Sequence, residues 1–79
     1  FPQATVLISY EGRDPRWKID IYSLEGDRVR RFTDEETQGA RQMVWDGSNE
    51  QGEPVAGGIY VVHVSDAKRS TMYRVAVVR

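Results

Sequence analysis

Segment 44–62 sets the tightest limits on the fold of this chain. It reads as an apolar run ending at Trp45, a polar turn containing Gly47 and Gly52, and a longer apolar run that follows the glycine pair 57–58. Aspartate, asparagine and glycine are typical of tight turns, whereas short runs rich in β-branched and aromatic side chains are typical of strands. The segment therefore predicts a strand, a turn, a short edge strand or bridge at 54–56, and a second, longer strand.

Strand signals recur along the rest of the chain, separated by turns that contain glycine or proline. Residues 34–40 are polar, so we expect a loop there, with a short helix as the alternative, although it would have no apolar stripe to hold it in place. The pattern is typical of an all-β fold, a small antiparallel immunoglobulin-like β-sandwich of about seven strands, with an incomplete small barrel as the alternative. The predicted strands cover residues 5–10, 17–23, 28–33, 41–46, 54–56, 58–66 and 71–79.

Alternation along these strands assigns side chains to faces. Residues two apart share a face, so one face of each strand is expected to pack in the core, while Asp20 falls on the opposite face of its strand. Strand 28–33 carries three arginines, which predicts an exposed or edge position. Tyr73, Val75 and Val77 are expected to point inward. The other sets that share a face are Val6, Ile8 and Tyr10; Trp17, Ile19 and Ile21; Met43 and Trp45; and Tyr60, Val62 and Val64.

Composition argues against several classes of protein. The net charge is −1, with 11 basic and 12 acidic residues, so no nucleic-acid partner is expected. No apolar run approaches the ~20 residues of a membrane-spanning helix, so no membrane insertion is expected. There is no cysteine for a disulfide or a thiolate site. We expect residues 1–79 to form a single domain, and the start at Phe1 rather than methionine is interpreted as the mark of a piece of a longer polypeptide.

No group of polar residues matches a reaction centre. His63 lies among valines, which favours a structural or surface role over general-base catalysis. Residues 46–52 place oxygen ligands at alternate positions, as calcium loops do, but Gly57 stands where the twelfth-position glutamate belongs, so a turn is favoured. The acidic triplet 34–36 is interpreted as solvated, and the arginines of strand 28–33 as neutralised by acidic neighbours. We therefore expect no catalytic residue, no metal site and no cofactor.

The aromatic side chains raise a further hypothesis, a platform that stacks sugars as in carbohydrate-binding modules. Core packing is favoured for Trp17 and Trp45, because both lie on apolar faces of their strands. Tyr22 is the member most expected to be exposed. The platform would comprise Trp17, Tyr22, Trp45, Tyr60 and Tyr73.

Segment 44–62 also resembles a known module, through the residues Val44-Trp45-Asp46-Gly47, Asn49, Gly52, Val55-Ala56, Gly58 and Tyr60 in this order. The same order is typical of the Ig-like domain of the flagellar hook-capping protein and of the C-terminal sorting domains of type IX secretion, which it resembles. Residues 19–29 are similar to the hairpin of these modules, which has the pattern I-Y-x-x-x-G-x-x-V, and residues 73–79 resemble the last strand of the sorting domains. Phe1-Pro2 resembles the end of the Pro-Asn-Pro-Phe motif with which such modules open.

The resemblance implies a non-catalytic C-terminal module of a secreted or cell-surface bacterial protein, which passes through the periplasm and acts in secretion sorting or surface attachment. Its partners would be the parent polypeptide and secretion machinery. The alternatives are a carbohydrate-binding or structural Ig-like module of a large extracellular hydrolase, and a flagellar hook-cap domain.

Two sets of residues follow from this resemblance. The last strand would be recognised because a strand at a sheet edge can add to a partner. The structural motif comprises Trp45, Asp46, Gly47, Gly52, Gly58 and Tyr60, and the candidate recognition strand comprises Tyr73, Arg74, Val75, Val77, Val78 and Arg79.

Overall fold

A computed structural model describes residues 6–10, 12, 14–37 and 39–78. Of the edge strand or bridge predicted at 54–56, the structure has the bridge, between Ser48 and Pro54. In the described part of the chain the elements are β1 (Val6–Ser9), β2 (Lys18–Ser23), β3 (Arg28–Phe32), α1 (Asp34–Thr37), β4 (Gln42–Trp45), β5 (Gly58–Ser65) and β6 (Ser70–Val77).

The strands form two antiparallel sheets that pack as a small sandwich. The smaller sheet contains β1 and β4, and the larger sheet has the order β3-β2-β5-β6. β5 lies between β2 and β6 and pairs with both in antiparallel register. Tyr60, Val62 and Val64 of this central strand are buried, whereas Ile59 on its other face is 42% exposed. The predicted all-β sandwich is confirmed.

The core lies between the two sheets. It contains the side chains that alternation assigns to it, joined by Phe32 at the end of β3. Partly buried residues that pack against this cluster include Val6, Tyr10, Met43, Tyr73 and Val75. Each large apolar side chain that is fully buried stabilises the fold by about 1.5–3 kcal/mol. The buried apolar residues are Ile8, Trp17, Ile19, Ile21, Phe32, Trp45, Tyr60, Val62, Val64 and Val77.

Residues 34–37 form one helical turn, so the loop prediction for 34–40 is wrong over this stretch. The turn is held by capping rather than by an apolar stripe. Thr33 N donates to Glu36 Oε1 at 3.0 Å, and Glu36 N donates to Thr33 Oγ1 at 3.4 Å, which is the reciprocal pair of a capping box. Thr37 is fully buried, and its hydroxyl donates to the carbonyl oxygen of Trp17. Apolar periodicity does not detect such hydrogen bonds.

β3 lies at one edge of the larger sheet, as its arginines predict. Asp20 of the neighbouring β2 is only 4% exposed, although alternation places it on the face away from the core. Its partner in the strand register, Arg31, covers it and donates from Nε to Asp20 Oδ1 at 2.7 Å. An arginine side chain therefore buries this carboxylate on the outer face of the sheet.

Candidate functional site

The turn after β4 is built from side chains that bind its own backbone. Asp46 Oδ1 accepts from Ser48 N at 3.1 Å and from the Ser48 hydroxyl, which lowers the pKa of the Asp46 carboxyl. Asn49 Oδ1 accepts from Gln51 N and Glu53 N, both at 3.0 Å. These are the contacts of a turn, which is the interpretation favoured over a calcium loop.

Glycine is required in this turn for conformational reasons. Gly47 and Gly52 have φ angles of 79° and 82°, in the left-handed region that side chains with a Cβ rarely adopt. No neighbouring atom lies within 4 Å of the position that a Cβ would take at Gly52. The constraint at Gly52 is therefore the backbone angle and not space.

We expect Gly52→Ala to lower the free energy of unfolding by about 1–2 kcal/mol, the cost of holding an alanine in the left-handed region. Gly52→Asn should cost clearly less, because asparagine tolerates this conformation. Urea unfolding followed by tryptophan fluorescence measures both variants. Equal losses for alanine and asparagine would show that the left-handed angle is not the reason for glycine at this position.

An aromatic pair closes the motif around this turn. The rings of Trp45 and Tyr60 meet edge to face, with centroids 5.6 Å apart and an interplanar angle of 73°. Trp45 Nε1 donates to Ser48 O at 2.8 Å, and the Tyr60 hydroxyl donates to Ala56 O at 2.7 Å. The two strands that flank the turn are therefore each fastened to it by a buried aromatic side chain that also satisfies its polar group.

The same turn is fastened to the edge strand β3. Arg30 Nη1 donates to Ser48 Oγ at 2.9 Å, and its guanidinium lies 4.7 Å from the ring centroid of Phe32. Arg31 N donates to Glu50 Oε1 at 2.6 Å, and Glu50 N donates to Val29 O at 3.1 Å. Arg30 therefore holds the turn, and Arg31 pairs with Asp20. The acidic triplet 34–36 is not the partner that neutralises these two arginines.

The structure separates the other polar candidates. His63 is half-buried on the outer face of β5, opposite Asp20 and Met72 in the register. Glu36 of the acidic triplet caps α1. Within the described ranges, no group of three or more histidine, aspartate or glutamate side chains is placed to hold a metal ion. In the same ranges, no helix is long and apolar enough to cross a membrane.

The five aromatic side chains do not form one exposed surface. Trp17, Trp45 and Tyr60 are buried in the core. Tyr22 and Tyr73 are half-buried, and alternation places them on opposite faces of the larger sheet, because Tyr22 pairs with Val61 whereas Tyr73 pairs with the core residue Val62. These five side chains therefore do not form a common exposed surface on which a sugar ring could stack.

The predicted recognition strand corresponds to β6, the other edge of the larger sheet. Tyr73 and Val75 face inward and are half-buried, and Val77 is buried. Arg74 is exposed on the outer face, and Val78, just beyond the strand, is 81% exposed. Arg79, the last residue of the prediction, lies outside the described residues.

Contacts far apart in sequence hold the end of the sandwich where β5 turns into β6. The Tyr10 hydroxyl donates to Asp66 Oδ2 at 2.6 Å and accepts from Asp14 N at 3.0 Å. The Tyr10 ring stacks on Trp17 with centroids 4.6 Å apart and an angle of 8°. The partners Tyr10 and Asp66 are 56 residues apart, and no local sequence signal identifies such a pair.

These contacts shift two pKa values in opposite directions. Asp66 accepts from the Tyr10 hydroxyl and from the backbone N–H groups of Lys68 and Arg69, which lowers the pKa of its carboxyl. Partial burial raises the pKa of the Tyr10 hydroxyl, and the hydrogen bond to Asp66 raises it further. The pair is therefore held as a neutral tyrosine and a charged carboxylate around neutral pH.

We expect acid to weaken the fold through Asp66. A carboxylate whose folded pKa is lowered stabilises the protein above its ordinary pKa of about 3.9, and this stabilisation is lost as the pH falls through the lowered value. Asp66→Asn should therefore be less stable than the native chain at pH 6, and should lose less stability between pH 6 and strong acid. Asp46 keeps part of the dependence, because its pKa is lowered as well. Urea midpoints measured against pH test this, and identical acid profiles for the two proteins would contradict it.

Comparison with known proteins places the chain in a family. Residues 3–70 match the model of the FlgD Ig-like domain. The chain is also similar to a solved structure of PorZ, described as an essential bacterial surface component of the type-IX secretion system of Porphyromonas gingivalis, with 26% identity and a TM-score of 0.64. That similarity covers 80% of this chain and 8% of the PorZ chain. No curated protein matches. The chain belongs to the FlgD Ig-like domain family.

Proposed function

We propose that this chain is a non-catalytic C-terminal module of a secreted or cell-surface bacterial protein, in which it acts in secretion sorting or surface attachment. Residues 1–79 would form one domain of that protein. The similarity to PorZ carries the proposal, because it relates 80% of this chain to a small part of a component of type IX secretion. Membership of the FlgD Ig-like domain family supports an Ig-like module rather than an enzyme.

The geometry of the motif supports a structural role for segment 44–62. Its polar side chains bind the backbone of the same turn, and its aromatic side chains pack in the core. A reaction centre instead needs a nucleophile or base whose polar atoms are free to meet a substrate. The proposed role of the motif is therefore to hold the sandwich together.

The recognition surface in this proposal is β6, whose second edge has no strand beside it among the described residues. β6 has β5 on one side, and edge strands accept hydrogen bonds from a partner strand. Met72 is 67% exposed on its outer face, and Val78 is exposed beyond its end. Exposed apolar side chains beside open backbone groups favour contact with another protein.

Deleting residues 71–79 is not a clean test of this surface. The deletion removes nearly all of β6, including the core residue Val77, from a sheet in which every residue of β5 pairs with it. Loss of export would then follow from unfolding as well as from lost recognition. Substitutions at exposed positions avoid this ambiguity.

The test uses an inert periplasmic reporter with the 79-residue chain at its C-terminus, produced in a bacterium with type IX secretion. Met72→Glu should lower the amount of reporter outside the cell. Val44→Glu is the matched control, since Val44 of β4 is 54% exposed on the smaller sheet and receives the same charge. Circular dichroism checks that both variants fold. Equal export of the two folded variants and the native chain would exclude recognition at β6.

A flagellar hook-cap domain is the second candidate, and the match to the FlgD Ig-like domain favours it. In that case the parent protein should be recovered with flagellar hooks, and the reporter fusion should stay in the periplasm of a strain with type IX secretion. Export of the reporter without any association with hooks would argue for the sorting role.

A further inference from the structure

A cleft of about 420 Å³ opens at the end of the sandwich where β5 turns into β6. Inner-face residues Val64, Thr71 and Tyr73 contribute to it from the larger sheet, and Ser9 and Tyr10 from the end of β1. Arg69, in the turn between β5 and β6, lies at its end. The cleft is therefore bounded by both sheets.

The cleft exists because the two sheets differ in width. A sheet of two strands packs on a sheet of four, so part of the inner face of the larger sheet has no strand opposite it. Tyr73 and Val75 remain half-buried although they face inward. Ser9, the last residue of β1, lines the cleft together with Tyr10, and no residue of β4 does, so the cleft lies at the end of β1 rather than beside β4. In the described part of the chain, β1 has β4 as its one neighbour.

The opposite edge of the larger sheet is already covered. This edge is β3. The Glu50 carboxylate accepts a hydrogen bond from Arg31 N, and Glu50 N donates to Val29 O, so the loop after β4 is hydrogen-bonded to the backbone of β3. β6, by contrast, contains no proline and one charged residue, Arg74. Proteins protect edges with charges, prolines and covering loops, and these devices are concentrated at β3.

Charge at the end of the cleft is uneven. The Asp66 carboxylate is used by the Tyr10 hydroxyl and by two backbone N–H groups. Arg69 is exposed and is the basic side chain among the described residues that line the cleft, and its charge also acts on the neighbouring Asp66 carboxylate. The guanidinium of Arg69 is therefore the group at this end that suits an acidic side chain of a ligand.

We propose that this cleft binds an extended peptide segment of a protein partner, which adds to the free edge of β1 as a third strand, packs an apolar side chain on Tyr73 and places an acidic side chain beside Arg69. Backbone hydrogen bonds supply affinity in strand addition, and side-chain positions supply specificity. This inference rests on the proposed function in that it assumes a protein partner. Peptide binding is measured on the isolated chain and export in cells, so either result can fail alone.

The experiment starts with a random-peptide phage library selected on the 79-residue chain. Enriched peptides should alternate apolar and polar residues and contain an acidic residue, and their binding is measured by fluorescence anisotropy. Amide chemical shifts of the chain should change at Ser9, Tyr10 and residues 69–73. Arg69→Glu should weaken binding by about two- to fivefold, the range of one exposed ion pair. Arg74→Glu, the same charge change on the outer face of β6, should leave it unchanged.

Backbone methylation separates strand addition from simple side-chain contact. N-methyl groups on one alternate set of peptide residues should abolish binding, whereas the other set should be tolerated, because alternate N–H groups of a strand point to opposite sides. The proposal is overturned if no peptide is enriched, if the shift changes map elsewhere, or if both methylated sets bind equally. It is also overturned if sedimentation shows that a second copy of the chain occupies the cleft.

Discussion

Trp45→Ala is expected to lower the free energy of unfolding by about 3–5 kcal/mol, the range for removing a large aromatic side chain from a core. Trp45 is fully buried, meets Tyr60 edge to face and donates from Nε1 to Ser48 O. The variant therefore loses apolar packing, an aromatic contact and a hydrogen bond at once. A domain of 79 residues has a total stability of about 4–12 kcal/mol, so a large share of the molecules should unfold at 37 °C.

Urea unfolding and near-ultraviolet circular dichroism measure this effect. The matched control is Val44→Ala, because Val44 precedes Trp45 in β4 but is 54% exposed. The control should lose much less than 1 kcal/mol, since exposed positions without special contacts tolerate substitution. An unchanged urea midpoint for Trp45→Ala would mean that the motif does not organise the core.

Trp17→Ala is expected to have an effect of similar size, about 3–5 kcal/mol. Trp17 is fully buried, stacks on Tyr10 and donates from Nε1 to Ala40 O at 3.1 Å. It thus holds the end of β1 and the segment before β4 against the larger sheet. Loss of the indole should also free the Tyr10 ring and weaken the Tyr10–Asp66 hydrogen bond.

The exposed neighbour Arg16 provides the control, because Arg16→Ala leaves its backbone hydrogen bond to Asp14 intact. Thermal unfolding of the two variants should differ strongly, with Trp17→Ala melting far below Arg16→Ala. In Trp17→Ala the alkaline titration of Tyr10 should also move toward the ordinary tyrosine pKa, since partial burial and Asp66 raise that pKa in the native chain. Similar melting temperatures for both variants would contradict the placement of Trp17 in the core.

Most of the sandwich was open to prediction because its strands alternate. In β5, Tyr60, Val62 and Val64 face the core and Ile59 is 42% exposed, as the period of two requires. The turn after β4 was equally readable, since Asp46 and Asn49 are residues that bind nearby backbone. Local rules of this kind act within a few residues, so the sequence contains all the information that they need.

Three features depend at least in part on contacts between distant segments, which sequence patterns do not specify. The capping box of Thr33 and Glu36 is a local signal for α1, but the burial of Thr37 depends on a hydrogen bond from its hydroxyl to the Trp17 carbonyl, 20 residues away. Asp20 is buried because Arg31 of the next strand lies over it. The cleft between β1 and β6 arises from the unequal width of the sheets, which strand lengths and turns do not specify. Sequence patterns predicted the strands and the faces of their side chains. They did not predict the cleft, because it forms only where one sheet packs on the other.

Export of a reporter in paired strains tests the central claim most directly. The reporter would carry the native 79-residue chain at its C-terminus, and its amount outside the cell would be measured in a bacterium with type IX secretion and in a derivative that lacks the system. The proposed sorting role predicts reporter in the medium or on the surface of the first strain and reporter retained in the periplasm of the second. Equal amounts outside both strains, or retention of a folded fusion in both, would contradict it.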